Sequence, residues 1–106
     1  MSLRRARSAD EYAGWVKSAM FEVDDLKNCL LYEIEDLHRM PAYIEILEDG
    51  VKQIYDAMVA GTYAFGREDL TFMETLRRYE AEIPFHTLLK QINETHRKGL
   101  EVEEED

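Results

Sequence analysis

One short motif in this chain has the residue types and the spacing that metal chemistry needs. Glu35 and His38 stand three residues apart, so a helix would place the carboxylate and the imidazole on one face. Carboxylate-bridged di-iron bundles use this Glu-x-x-His spacing, but they need it twice, with further glutamates on other helices. The chain contains a single copy. We therefore expect no bound metal and no cofactor, and we keep a metal-binding bundle enzyme or sensor centred on Glu35 and His38 as an alternative.

The sequence offers less for nucleophilic catalysis. Cys29 lies between Asn28 and Leu30 with no histidine at helical spacing, which is typical of an inert, partly buried thiol. The chain contains no Gly-x-Ser-x-Gly, no phosphate-binding glycine loop and no His-Glu-x-x-His, the motifs that would indicate hydrolase, nucleotide or zinc chemistry. We expect no catalytic residues and no enzymatic activity.

The charge of the chain restricts its partners. A net charge of -10 over 106 residues repels nucleic-acid phosphates and anionic membranes, so we expect neither as a partner. A basic protein would be attracted, and an acidic inhibitor or antitoxin of a basic protein is a second alternative. No apolar run approaches the 18 residues of a membrane span, and the single cysteine cannot form an internal disulfide, so the expected location is the cytoplasm.

The length fits one domain. Residues 1–8 form a basic arm with Arg4, Arg5 and Arg7, residues 9–99 carry the helical pattern, and residues 100–106 form an acidic tail that we expect to be disordered.

The longest apolar stripe predicts a first helix over about residues 9–38. Ser8 has N-cap chemistry, and Glu11 stands at the capping-box spacing from it. Pro41 interrupts the pattern and predicts a break near residues 38–41, with a kinked continuation as the alternative. Gly61 closes the second helix. The first stripe contains Tyr12, Val16, Ala19, Val23, Leu26, Leu30, Ile34 and Leu37; the second contains Ile44, Leu47, Val51, Ile54 and Met58.

The segment AGTYAFGRED, residues 60–69, predicts a loop and the start of a third helix. With Gly66 as its N-cap, Phe65 and Leu70 have the spacing of a hydrophobic staple. Tyr63 is then expected to cover the same corner with its hydroxyl in water. Pro84 ends or kinks this helix, and Gly99 closes the last apolar run. The predicted fold is an all-α, up-and-down bundle of three to four helices with a long first helix.

The predicted first helix is longer than a compact domain can cover. Thirty residues at 1.5 Å each give about 45 Å, against a radius of gyration near 13 Å for a compact domain of about this size. Part of its stripe is expected to meet a second copy, since two-fold dimers are the commonest oligomers. We therefore predict a small acidic protein-interaction module that forms a homodimer and acts as an adaptor or regulator. The predicted interface residues are Trp15, Val16, Ala19, Val23, Leu26 and Leu30.

Overall fold

The computed structural model of this protein describes residues 5–34 and 41–100. These residues form four α-helices and contain no β-strand, and a 3-10 turn at Glu80–Glu82 separates the third helix from the fourth. The helices are α1 (Ala9–Ile34), α2 (Ala42–Ala60), α3 (Met73–Tyr79) and α4 (His86–Lys98). With 26 residues, α1 is the longest. The predicted all-α, up-and-down bundle with a long first helix is confirmed.

Four sequence predictions fall partly or wholly outside the described residues. They concern Arg4 of the basic arm, the end of the predicted first helix with Leu37, the pair Glu35 and His38, and residues 101–106 of the acidic tail.

Side-chain and glycine caps fix three helix ends. Ser8 Oγ accepts the Glu11 N–H at 3.1 Å, and Glu11 Oε1 accepts the Arg7 N–H at 2.9 Å. This is the predicted capping box, with its return bond one residue earlier than the standard motif. Gly61 ends α2 in the left-handed conformation at φ 74°, and Gly99 ends α4 at φ 83°. Glycine takes these positive φ values without the strain that a Cβ would bring.

Both prolines separate helices. Pro41 has ψ 136° and directly precedes α2, so no helix runs through it. Ile83 is extended, with φ -111° and ψ 99°, so the chain breaks at Pro84 and does not merely kink. The residue before a proline is pushed out of helical geometry, which accounts for the extended Ile83.

α1 and α2 form an antiparallel hairpin. Lys27 Nζ of α1 lies 3.2 Å from Glu48 of α2, while Tyr12 near the start of α1 binds Tyr63 just after α2 ends. The α1 side of the core is formed by Tyr12, Val16, Ala19 and Val23, and the α2 side by Ile44, Leu47, Val51 and Ile54. α3 and α4 add Leu76, Leu89 and Ile92 to the same core.

The predicted start of the third helix is wrong. α3 begins at Met73 and its N-cap is Phe72, so Gly66 caps no helix and Phe65 forms no staple with Leu70. Gly66 instead donates its backbone N–H to the carbonyl of His96 at 3.1 Å. The segment between α2 and α3 is therefore held by α4 rather than by a helix of its own.

Close contact between α2 and Phe72 explains a glycine inside α2. A Cβ added to Gly50 would lie 2.8 Å from Phe72 Cδ2, and Phe72 is fully buried. We expect Gly50→Ala to lower the free energy of unfolding by about 1 kcal/mol, since overpacking costs about 1–3 kcal/mol and the helix propensity of alanine returns up to about 1 kcal/mol. Urea unfolding followed by circular dichroism measures this.

Gly14 in α1 is the matched control. A Cβ there would meet nothing within 4 Å, so Gly14→Ala should raise the free energy of unfolding by about 0.5–1 kcal/mol. If the two variants changed stability in the same direction, the contact between Gly50 and Phe72 would not be the constraint described.

Candidate functional site

The candidate metal ligands do not fall in the described part of the chain. Glu35 and His38 lie outside it, and no group of three or more His, Cys, Asp or Glu residues within residues 5–34 and 41–100 could hold a metal ion. The sequence neighbours of Cys29 predicted a partly buried thiol, but Cys29 is exposed.

Three polar side chains from different segments form a hydrogen-bonded chain. The Tyr12 hydroxyl of α1 lies 2.7 Å from the Tyr63 hydroxyl, which lies 2.6 Å from Nδ1 of His96 in α4. The Tyr12 hydroxyl also donates to the backbone carbonyl of Ile92 at 3.3 Å. The chain thus connects α1, the segment after α2, and α4.

The direction of these hydrogen bonds depends on the tautomer of His96. Tyr12 has one proton and two acceptors in reach, the Ile92 carbonyl at 3.3 Å and the Tyr63 hydroxyl at 2.7 Å. With the proton on Nδ1, His96 donates to Tyr63, Tyr63 donates to Tyr12, and Tyr12 donates to Ile92. With the proton on Nε2, Tyr12 donates to Tyr63 and Tyr63 donates to Nδ1, so either neutral tautomer connects all three side chains.

Burial keeps all three groups neutral near pH 7. It raises the pKa of Tyr12, and the hydrogen bond to Tyr63 raises that pKa further. Burial also raises the pKa of Tyr63 and lowers the pKa of His96. In each case removal from water disfavours the charged form.

The aromatic rings of Tyr12, Tyr63 and Phe65 form a cluster around the hydrogen-bonded chain of side chains. Phe65 stacks on Tyr12 at 5.6 Å between ring centroids and meets Tyr63 edge-on at 5.3 Å. The Tyr63 hydroxyl is therefore bound by protein and not directed into water, so that prediction was wrong. Phe65 remains 44% exposed, and its ring packs against α1.

A cleft of about 520 Å³ lies beside His96. Residues from α2, from the segment after it and from α4 line it: Gly50, Gln53, Ile54, Tyr63, Gly66, Arg67, Glu68, Asp69, Leu70, Thr71 and His96. A Cβ on Gly66 would lie 2.8 Å from His96 Nε2, so this glycine allows the imidazole to approach the backbone.

Asp69 fixes the far end of the same segment to α4. Its carboxylate accepts from Arg77 at 2.6 Å and from Asn93 at 3.0 Å, and Asn93 Oδ1 accepts the Leu70 N–H at 2.7 Å. The Arg77 hydrogen bond, and next the Asn93 one, lower the pKa of Asp69. These bonds stabilise the segment in its non-helical path.

A second concave surface lies between α1 and α2. This α1–α2 groove has a volume of about 610 Å³ and is lined by Lys17, Met20, Phe21, Val23, Asp24, Glu48, Val51, Lys52 and Tyr55. Phe21 is 76% exposed beside it. Among the described residues that line this groove, all belong to the two helices of the hairpin.

The six residues predicted as an interface fall into a fully buried group and a partly buried group. Val16, Ala19 and Val23 are at most 2% exposed, and they pack within their own chain, which leaves them almost no surface for a second copy. Trp15, Leu26 and Leu30 are partly buried against the core. Val23 lines the α1–α2 groove as well.

The predicted interface set did not contain the groove residues Lys17, Phe21 and Asp24. A signal was present, because these three follow one another at steps of four and three residues, which places them on one face of α1. Phe21 does not belong to the longer Tyr12-to-Leu37 stripe, so that stripe concealed it.

No protein-family model matches this chain, and no curated protein and no solved structure matches it either. Among the described helices, none combines the length and the apolar character that crossing a bilayer requires. The class that the structure defines is an all-α helical bundle with a polar hydrogen-bonded corner and an apolar groove.

Removing the central hydroxyl of the chain tests its contribution to stability. Tyr63→Phe removes the hydrogen-bond partner of His96 Nδ1 and one partner of the Tyr12 hydroxyl, so we expect a loss of about 1–3 kcal/mol in the free energy of unfolding. Tyr32 is 87% exposed, and Tyr32→Phe should change stability by less than about 0.5 kcal/mol. Equal effects in urea unfolding would contradict the hydrogen-bonded chain.

The lowered pKa of His96 predicts a pH dependence. An unfolded histidine titrates near 6.5 and folded His96 titrates lower, so between those values the unfolded chain binds more protons. The contribution of neutral His96 to the free energy of unfolding is therefore complete above pH 6.5. It is lost as the pH falls from 6.5 to the lower pKa of folded His96. Urea unfolding at pH 7.5, 6.5 and 5.5 should show a larger loss for the wild type than for His96→Gln; parallel losses would refute it.

Proposed function

We propose that this protein is a small acidic protein-interaction module that self-associates through the α1–α2 groove and acts as an adaptor or regulator, not as an enzyme. The observation that supports this is Phe21, a phenylalanine 76% exposed on the wall of a groove of about 610 Å³. Large aromatics at the centre of a concave surface are typical anchors of protein interfaces.

Exposure of Phe21 has an energetic consequence. Burying a phenylalanine side chain gains about 1.5–3 kcal/mol relative to leaving it in water. In a two-fold dimer the same residue is buried twice, so Phe21 alone could contribute about 3–6 kcal/mol to association. Met20 and Tyr55 line the same groove and add apolar area beside it.

The proposed interface differs from the sequence-based set because the α1 stripe is used inside the chain. Val16 and Ala19 are fully buried there, so the surface left for a partner is the adjacent face that carries Phe21. The net charge of -10 opposes dimerisation, but at physiological ionic strength charges act over only about 8 Å. Distant carboxylates therefore contribute little at this surface.

Light scattering of the wild-type protein tests self-association directly. A mass near twice the chain mass of 12.5 kDa is expected at micromolar concentration. Phe21→Ser should weaken the dimer at least a hundredfold, since it removes two buried phenyl groups. Ile46→Ser is the control, because Ile46 is an exposed apolar residue of α2 that does not line the groove.

Two other results would change the proposal. A wild-type monomer that persists at high micromolar concentration in moderate salt would refute self-association. A basic protein that co-purifies with the monomer and dissociates at high salt would favour the inhibitor or antitoxin alternative.

A further inference from the structure

We infer that the α1–α2 groove receives a second copy of this chain in an antiparallel, two-fold arrangement, in which Lys17 of each copy binds Asp24 of the other across the two Phe21 rings. The inference rests on the proposed function, because it requires self-association through this groove. It adds the orientation of the second copy and the residues that select that orientation.

The first support is the order of charges along α1. Lys17 and Asp24 are both exposed and both line the groove, with Met20 and Phe21 between them. Seven residues are about two helical turns, so the two charges stand about 10.5 Å apart on one face. One end of the α1 wall is therefore positive and the other negative.

A two-fold axis through the middle of this wall makes it self-complementary. When the axis lies between Met20 and Phe21, the direction of α1 is reversed in the second copy and Lys17 faces Asp24 twice. A parallel arrangement would place Lys17 against Lys17 and Asp24 against Asp24, and like charges would meet at both ends. The charge order thus selects one orientation.

The second support is the lack of ion pairs at these two charges in the part of the chain that the structure describes. Among the described residues, no ion pair involves Lys17 or Asp24, whereas Glu48 of the same groove is bound by Lys27. A partner that supplies opposite charges at both positions completes two pairs at once. The apolar residues between them exclude water and strengthen each pair.

The same pattern disfavours a basic protein as the occupant. Lys17 and Lys52 both line the groove, so a uniformly basic surface would meet two like charges there. A second copy presents one acid and one base at the required spacing, which no uniformly charged partner does.

Charge reversal tests the arrangement. Lys17→Glu alone and Asp24→Lys alone should each weaken the homodimer about tenfold or more, because each creates two repulsive contacts. An equimolar mixture of the two variants should form a heterodimer of about wild-type affinity, since both contacts become attractive. Asp25→Lys is the matched control, because Asp25 is the neighbouring exposed acid that does not line the groove; it should leave affinity within about threefold.

Sedimentation equilibrium on the wild type, on each variant and on the mixture tests self-association and the antiparallel arrangement separately. A monomeric wild type refutes the proposed function itself. A wild-type dimer whose Lys17→Glu and Asp24→Lys variants associate no better mixed than alone refutes this arrangement and leaves self-association standing. Thermal melts by circular dichroism show that each variant is folded.

Cysteine cross-linking gives a second measurement that does not depend on charge. In a Cys29→Ser background, oxidation of Lys17→Cys mixed with Asp24→Cys should form a heterodimeric disulfide. Lys17→Cys alone should cross-link poorly, because the two-fold arrangement holds its copies about 10 Å apart. Faster cross-linking of Lys17→Cys alone than of the mixture would overturn the antiparallel orientation.

Discussion

A buried hydroxyl group must find hydrogen-bond partners, and the way Tyr12 does so organises one end of this protein. Tyr12 is 1% exposed, so its ring belongs to the core while its oxygen has to be satisfied there. The Ile92 carbonyl and the Tyr63 hydroxyl lie within hydrogen-bond distance of it, at 3.3 and 2.7 Å. Because those partners lie on α4 and on the segment after α2, the hydrogen bonds of this one hydroxyl group connect three parts of the chain. The helical hairpin, the aromatic cluster and α4 are then fixed relative to each other.

Sequence reasoning succeeded where the governing chemistry is local. The bond from Glu11 to Ser8 and the left-handed Gly61 each depend on residues within four positions, and each was predicted. At Pro84 the sequence predicted either a break or a kink, and the structure has a break. It failed for the segment before α3, where acidic residues after Gly66 looked like the first turn of a helix. Asp69 instead binds Arg77 and Asn93, and no local pattern contains a contact with a residue 24 positions away.

For the candidate surfaces too, local sequence patterns predicted one part and the fold decided the rest. A stripe on α1 was correctly identified as apolar, but periodicity cannot state what covers it, and the chain's own helices cover Val16 and Ala19 completely. The surface left to a partner carries Phe21 between Lys17 and Asp24, and it is visible only once the folded hairpin has used the main stripe. Tyr63 and His96 stand 33 positions apart, so their pairing also required the fold.

The contact between Ala6 and Thr95 has a consequence for synthesis. The Ala6 N–H donates to Thr95 Oγ1 at 3.0 Å, and the two residues are 89 positions apart. On a ribosome that adds about 5–20 residues per second, Thr95 is made seconds after α2. Ala6 therefore cannot form this hydrogen bond until nearly all of the described chain has been synthesised.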